Sequence, residues 1–199
     1  MFKSSSYIKK TFLLLLVCSF SVISRGQAVK PDSTTVASVE KSIFSIQTGF
    51  LGIWVNNEAR LSNSFVLKSE IGLAAAIWNV SLGKADFLLA PQVTLEPRWY
   101  YNLRKRKSKS KNIAGNSGNF LGLQTSFLPG GWVISNADVN QRPVFSLFLV
   151  WGIQRQVGRH FNYELGTGPV YAHVFPDREG YGKSDDFSLA FLIRIGYRF

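Results

Sequence analysis

From Phe187 to the final residue, Phe199, the chain reads FSLAFLIRIGYRF, and this stretch leaves few folds open. Phe187, Leu189, Phe191, Ile193, Ile195, Tyr197 and Phe199 take the odd positions, while Ser188, Ala190, Leu192, Arg194, Gly196 and Arg198 take the even ones. A period of two is a β-strand with one apolar face and one mostly small or polar face. The run is far longer than the roughly five or six residues of a globular strand. It suits a tilted strand crossing a bilayer, which needs about 9 to 11. After residue 28 no apolar run reaches the roughly 20 residues of a membrane-spanning helix, so a mature chain in a membrane has to be a closed barrel.

The first residues read as a segment to be removed. Lys3, Lys9 and Lys10 are a positive start, Thr11 to Ile23 is an apolar core, and Ser24 to Ala28 supplies small residues. Residues 1–28 therefore read as a secretory signal peptide, cut after Gly26 or Ala28. The single cysteine, Cys18, lies inside that core behind Val17, where a lipid-acylation site would have a small residue, so it reads as one more apolar side chain. The mature chain then has no cysteine, which excludes a disulfide framework, a thiolate metal site and cysteine nucleophile chemistry. His160 and His173 are its only imidazoles, and neither a metal site nor a cofactor is expected.

Alternating runs recur along the rest. Ile43 to Val55 sets Phe44, Ile46, Thr48, Phe50 and Trp54 against Ser45, Gln47 and Gly49, with a turn expected at Asn56 to Ala59. Leu61 to Trp78 and Phe87 to Tyr101 repeat the pattern around a loop at Asn79 to Asp86, and Pro91 and Pro97 sit awkwardly in the second run. Asn119 to Leu128, Pro143 to Ile153 and Phe161 to Phe175 follow, separated by loops at Pro129 to Arg142, Gln156 to Arg159 and Pro176 to Asp186. With the terminal run this makes seven strands, and single-chain bacterial barrels normally have an even number. The eighth is expected either in residues 29–42, which otherwise read as an N-terminal tail, or around Trp132. The fold expected is an all-β, antiparallel up-and-down transmembrane barrel of about eight strands over residues 43–199. Aromatics near strand ends, at Trp54, Trp78, Trp99, Tyr100, Tyr101 and Tyr197, read as interface girdles. The soluble alternative, a lipocalin-like lipid carrier, would turn its apolar faces inward.

In a barrel facing lipid the polar faces converge. Lys68, Glu70, Glu96, Arg98, Glu164 and Arg194 then share one interior, together with Gln47, Gln92, Gln124 and Gln154. About eight strands leave only enough room for side chains, so these groups must pair. They read as a packed polar network, with an ion path or small pocket as the alternative. The formal charge of +11 falls to +7 without the four cations of the leader, and to +1 without Arg104, Lys105, Arg106, Lys107, Lys109 and Lys111. That basic run, followed by NIAGNSG, reads as a flexible loop on the periplasmic side. No aromatic interleaves it, which argues against nucleic acid. Phospholipid headgroups or lipid A are the partners expected for it.

The signal peptide, the long alternating strands and the GYRF ending resemble those of small outer-membrane β-barrel proteins of Gram-negative bacteria, the OmpA-like and OmpX-like class, in the composition typical of Bacteroidota. The resemblance implies residence in the outer membrane among its lipids. It also implies recognition of Tyr197 and Phe199 by the outer-membrane assembly machinery. Barrels of this class serve as anchors, adhesins, porin-like channels and enzymes, so architecture alone does not select a role. A structural or surface-interaction role without catalysis is expected. The alternative is a lipid A- or phospholipid-modifying enzyme, for which His173 is the candidate base, with Ser184, Asp185 and Asp186 as its nearest possible partners.

Overall fold

Nine β-strands form in a computed structural model of the chain, which describes residues 36–50, 52–81, 84–176 and 182–199. The leader read at residues 1–28 lies outside the described residues. The strands are β1 (Ser42–Gly49), β2 (Gly52–Arg60), β3 (Phe65–Ser81), β4 (Lys84–Tyr100), β5 (Gly118–Leu128), β6 (Ile134–Ser135), β7 (Val144–Val157), β8 (Phe161–Val174) and β9 (Ser184–Arg198). β1 pairs with both β2 and β9, and β3 pairs with both β2 and β4, so the long strands close on themselves. Eight strands close into an antiparallel up-and-down barrel in the order β1-β2-β3-β4-β5-β7-β8-β9. The two-residue β6 is an extra piece, added to β4 at Leu88 and Leu89.

The eighth barrel strand comes from neither place the sequence suggested. The single run expected from Ile43 to Val55 is two strands, folded back where Gly49 pairs with Gly52. Gly52 has φ 143°, and a Cβ there would stand 2.1 Å from the Leu73 carbonyl oxygen, so only glycine fits this corner. The reversal resets the alternation. Asn56 to Ala59, expected as a turn, runs inside β2, and Trp54 is buried inside the barrel instead of lying on the outer wall. Residues 36–41 are not strand, and the region around Trp132 supplies only β6. The loop expected at Asn79 to Asp86 is mostly strand, since β3 runs to Ser81 and β4 starts at Lys84.

Both awkward prolines fall where the ladder is broken. The β4–β5 pairing stops at Leu95–Thr125 and resumes at Arg98–Gly122, with Pro97 in the gap, and Pro91 lies beyond the last β4–β5 pair, Val93–Phe127. Pro169 sits in a similar gap between β7 and β8, from Phe148–Val170 to Trp151–Thr167. A proline has no N–H to give a neighbour, so it is tolerated where none is asked for.

Inside and outside are inverted relative to a soluble barrel. The outer wall shows Phe187, Leu189, Phe191, Ile193 and Ile195 of β9, each more than half exposed, with Phe44, Ile71, Leu95, Leu149 and Trp151 on other strands. The interior holds Lys68, Glu96, Arg98 and Glu164, whose side chains have no exposed surface. Of the aromatics expected in a girdle, Trp99, Tyr101 and Tyr197 are on the outer wall at the end where the described chain begins and ends, joined there by Phe65, Trp151, Phe161 and Phe199. Tyr100, like Trp54, is buried inside.

Candidate functional site

The register of the strands sets opposite charges beside one another. Glu58 of β2 faces Lys68 of β3, which faces Glu96 of β4, and across the barrel Glu164 of β8 faces Arg194 of β9. Lys68 Nζ donates to Glu164 Oε2 at 3.2 Å and to Gln47 Oε1 at 2.8 Å, and pairs with Glu70 Oε1 at 2.7 Å. Arg98 holds Glu96 with two parallel bonds, Nε to Oε1 at 2.7 Å and Nη2 to Oε2 at 2.8 Å. The same Nη2 donates to Glu164 Oε1, and Nη1 donates to Gln154 Oε1 at 3.1 Å. Arg194 Nη1 donates to Glu70 Oε1 at 2.6 Å, while its guanidinium lies 4.2 Å from the centre of a Trp54 ring. All six residues expected in the polar network are thus joined in one, and Glu164 links its Lys68 and Arg98 branches.

Glu58 is a member that the sequence reading missed. Its carboxylate accepts from Asn116 Nδ2 at 2.7 Å and from the Tyr100 hydroxyl at 3.2 Å, and lies 3.7 Å from Arg98 Nη1. The signal was available in the Gly49–Gly52 corner, because a strand starting at Gly52 puts Trp54, Asn56 and Glu58 on one face. Interior glycines make room for the large side chains. A Cβ on Gly122 would come within 2.3 Å of Glu96 Oε1, and one on Gly152 within 2.5 Å of the Phe120 ring.

The terminal end is sealed. Ala37 and Val39, ahead of β1, are buried with Val66, Tyr100, Leu103 and Phe120. Glu40 ties this segment to the β4–β5 connection and to β9. Its backbone N–H donates to Asn116 Oδ1 at 2.8 Å, and its carboxylate accepts from Gly115 N–H at 2.5 Å and from Arg198 Nη1 at 2.9 Å. Asn116 has φ 54°, a left-handed conformation that asparagine tolerates better than most residues, which lets it serve both Glu40 and Glu58.

The basic run is ordered, contrary to the expectation of a flexible loop. Leu103–Ser108 forms a short helix, α1, anchored by buried Leu103, and a turn of 3-10 helix follows at Ala114–Asn116. The run is rich in helix-forming Arg and Lys, and its one apolar residue finds a pocket under the barrel. The connection carrying Arg104, Lys105, Arg106, Lys107, Lys109 and Lys111 lies at the end that carries both ends of the described chain.

At the opposite end His173 does meet Asp185. Its Nδ1 is 2.7 Å from Asp185 Oδ1, which also accepts from the Tyr171 hydroxyl at 2.6 Å. Ser184 is one residue along the strand and falls on the other face, and Asp186 pairs with Ala172. The histidine therefore has a carboxylate to orient it, and among the described residues no serine hydroxyl is hydrogen-bonded to it as a nucleophile–base pair would be. Among the described residues no group of three His, Cys, Asp or Glu side chains could hold a metal ion. Tyr197 and Phe199 lie on the outer wall, their rings 5.4 Å apart, with Tyr197 also stacked on His160 at 5.2 Å.

No family model, curated protein or solved structure matches this chain.

Proposed function

We propose that the protein is an integral outer-membrane barrel of the class its sequence resembles, with a structural or surface-interaction role rather than a catalytic one. The observation that carries this reading is the inversion of the barrel: a continuous apolar outer wall around a buried network of charges. Water would penalise such a wall, and lipid would not. A soluble carrier needs the reverse, an apolar cavity inside and polar residues outside, and here the interior is filled by Lys68, Glu96, Arg98, Glu164 and their partners. The accessible Tyr197 and Phe199 suit recognition by the outer-membrane assembly machinery, and the basic connection suits headgroups on the periplasmic side.

A conducting pore fits the interior poorly, because the ion pairs and the seal at Glu40 stand in series along the axis. The test of the membrane reading is fractionation of cells expressing the full chain, followed by electrophoresis of unheated and heated outer-membrane samples. Folded barrels keep their shape in detergent until heated, so a band that shifts on heating, found in the outer-membrane fraction, is expected. A folded protein recovered in the soluble fraction with no shift would sink the reading.

A further inference from the structure

The outer wall is not evenly apolar. One row of outward positions crosses five strands: Phe44 of β1 faces Asn57 of β2, which faces Ser69 of β3, followed by Leu95 of β4 and Thr125 of β5. The next row, one step away from the terminal end, is Val55, Ile71, Val93 and Phe127. Asn57, Ser69 and Thr125 are short and half-buried, whereas their neighbours Phe44, Ile71 and Leu95 are long and exposed. The difference in reach leaves a groove of about 700 Å³ in the wall, lined by both rows. Asn57 is already engaged, since its Nδ2 donates to Ser42 Oγ at 2.8 Å and to the Ile43 carbonyl at 3.2 Å. The Ser69 and Thr125 hydroxyls have no hydrogen-bond partner among the described residues.

Three kinds of chemistry follow one another along the strands that border this groove. At the foot of β4 and β5, the connection from Tyr101 to Ser117 carries six Arg and Lys side chains and no Asp or Glu. Just above it Trp99 stacks on Phe65 with ring centres 6.1 Å apart, in the aromatic girdle. Phe65 faces Trp99, and four residues further along the same two strands Ser69 faces Leu95, which is about 10 Å deeper in the wall for tilted strands. Ile71 and Val93 lie about 5 Å beyond that, so the groove runs from near the girdle toward the middle of the apolar band. A hydroxyl without a partner in hydrocarbon costs free energy, and a carbonyl acceptor removes that cost. Cations, then hydroxyl donors, then an apolar slot complement a molecule with an anionic phosphate, ester carbonyls and a hydrocarbon chain, in that order. We propose that the groove binds one anionic phospholipid of the periplasmic leaflet. Its acyl chain lies along Ile71, Val93 and Phe127, its ester carbonyls accept from Ser69 and Thr125, and its phosphate meets the basic connection. This rests on the membrane reading above and goes beyond it by naming the site and the lipid class.

The experiment is native mass spectrometry of the full chain released from nanodiscs made of equal parts phosphatidylglycerol and phosphatidylcholine. The wild type is expected to retain one phosphatidylglycerol. Ser69→Phe fills the groove from outside and leaves the inward charges untouched, so about a tenfold loss of retained lipid is expected in protein that still shifts on heating. Thr125→Phe fills the same groove from β5 and serves if the first variant fails to fold, with a similar loss expected. Leu165→Phe, on the outer face of β8 away from the groove, is expected to retain lipid like the wild type. K109Q/K111Q leaves the groove open and is expected to lower the preference for phosphatidylglycerol about tenfold. Unchanged retention in the groove-filling variants would overturn the proposal, as would an equal loss in Leu165→Phe, which would mean that lipid clings anywhere on the wall. Equal retention of phosphatidylcholine by the wild type would overturn the anionic class. A second copy of the chain bound in place of lipid, and lost on Ser69→Phe, would make the groove a subunit interface instead. A wild type that folds but never enters the nanodisc would overturn the membrane reading itself, and the site with it.

Discussion

The two ends of the barrel are made from the same eight strands and are packed in opposite ways. Toward the termini the inner positions carry Lys68, Glu96, Arg98, Tyr100, Phe120 and Glu164, all buried, with residues 36–41 and α1 beneath them. Toward the other end many inner positions of the same strands are small and only partly covered, at Ala74, Ser146, Gly168, Ala172 and Ser188, although Leu88 and Ala90 of β4, which face Ala76 and Ala74, are buried. Between the two lies an apolar layer in which Phe148 and Val150 pack with Val170, Ala190 and Leu192. Large interlocked side chains fix strand register and close the barrel at one end, while the described inner positions toward the other end are mostly small. Stability and closure therefore belong to the terminal half, and changes in the far half should cost little.

That contrast breaks if charge removal is equally harmless in both halves. Glu164→Gln keeps the volume and leaves Arg98 and Lys68 short of a shared counter-charge, so a loss of about 3–5 kcal/mol is expected in urea unfolding followed by the heat-shift assay. A loss under about 1 kcal/mol would mean that the network contributes little to the fold. Gly122→Val pushes into Glu96, and overpacking of about 1–3 kcal/mol is expected by the same measurement. Glu40→Gln loosens the seal while the network stays intact. Because Glu40 is about one-third exposed, only about 0.5–1 kcal/mol is expected, and planar-bilayer recordings should remain as silent as those of the wild type. Conductance steps in the wild type would remove the closed-barrel account, whereas steps in the Glu40→Gln variant alone would make the seal the sole barrier. Ser188→Ala in the far half sets the floor of the comparison, within about 0.5 kcal/mol of the wild type.

Most of the architecture is legible along the chain because a strand writes its two faces into alternate residues. Phe187 to Phe199 announces an apolar outer face and a small or polar inner one, and six charged members of the interior network follow from the same parity. Parity is also why Glu58 and Trp54 were misplaced. Between Gly49 and Gly52 the sequence has the apolar pair Phe50 and Leu51, where a turn usually shows Asn, Asp or Gly, and an undetected turn inverts the face assigned to the residues that follow it in the same run. The basic run gave its charge but not its order, since the helix depends on Leu103 finding Tyr100 and Phe120 under the barrel.

By itself the sequence determined that the chain is built of long two-faced strands, which face of most of them is apolar, and that the basic charge is concentrated in one segment. These are local properties, carried by periods of two and by composition. Only the tertiary structure decided which charges meet, that Glu164 joins Lys68 to Arg98, and that Glu40 ties the segment ahead of β1 to the β4–β5 connection and to β9. Each of those contacts joins residues from different strands and connections. Their closeness depends on strand register and barrel closure, which no single stretch of the chain encodes.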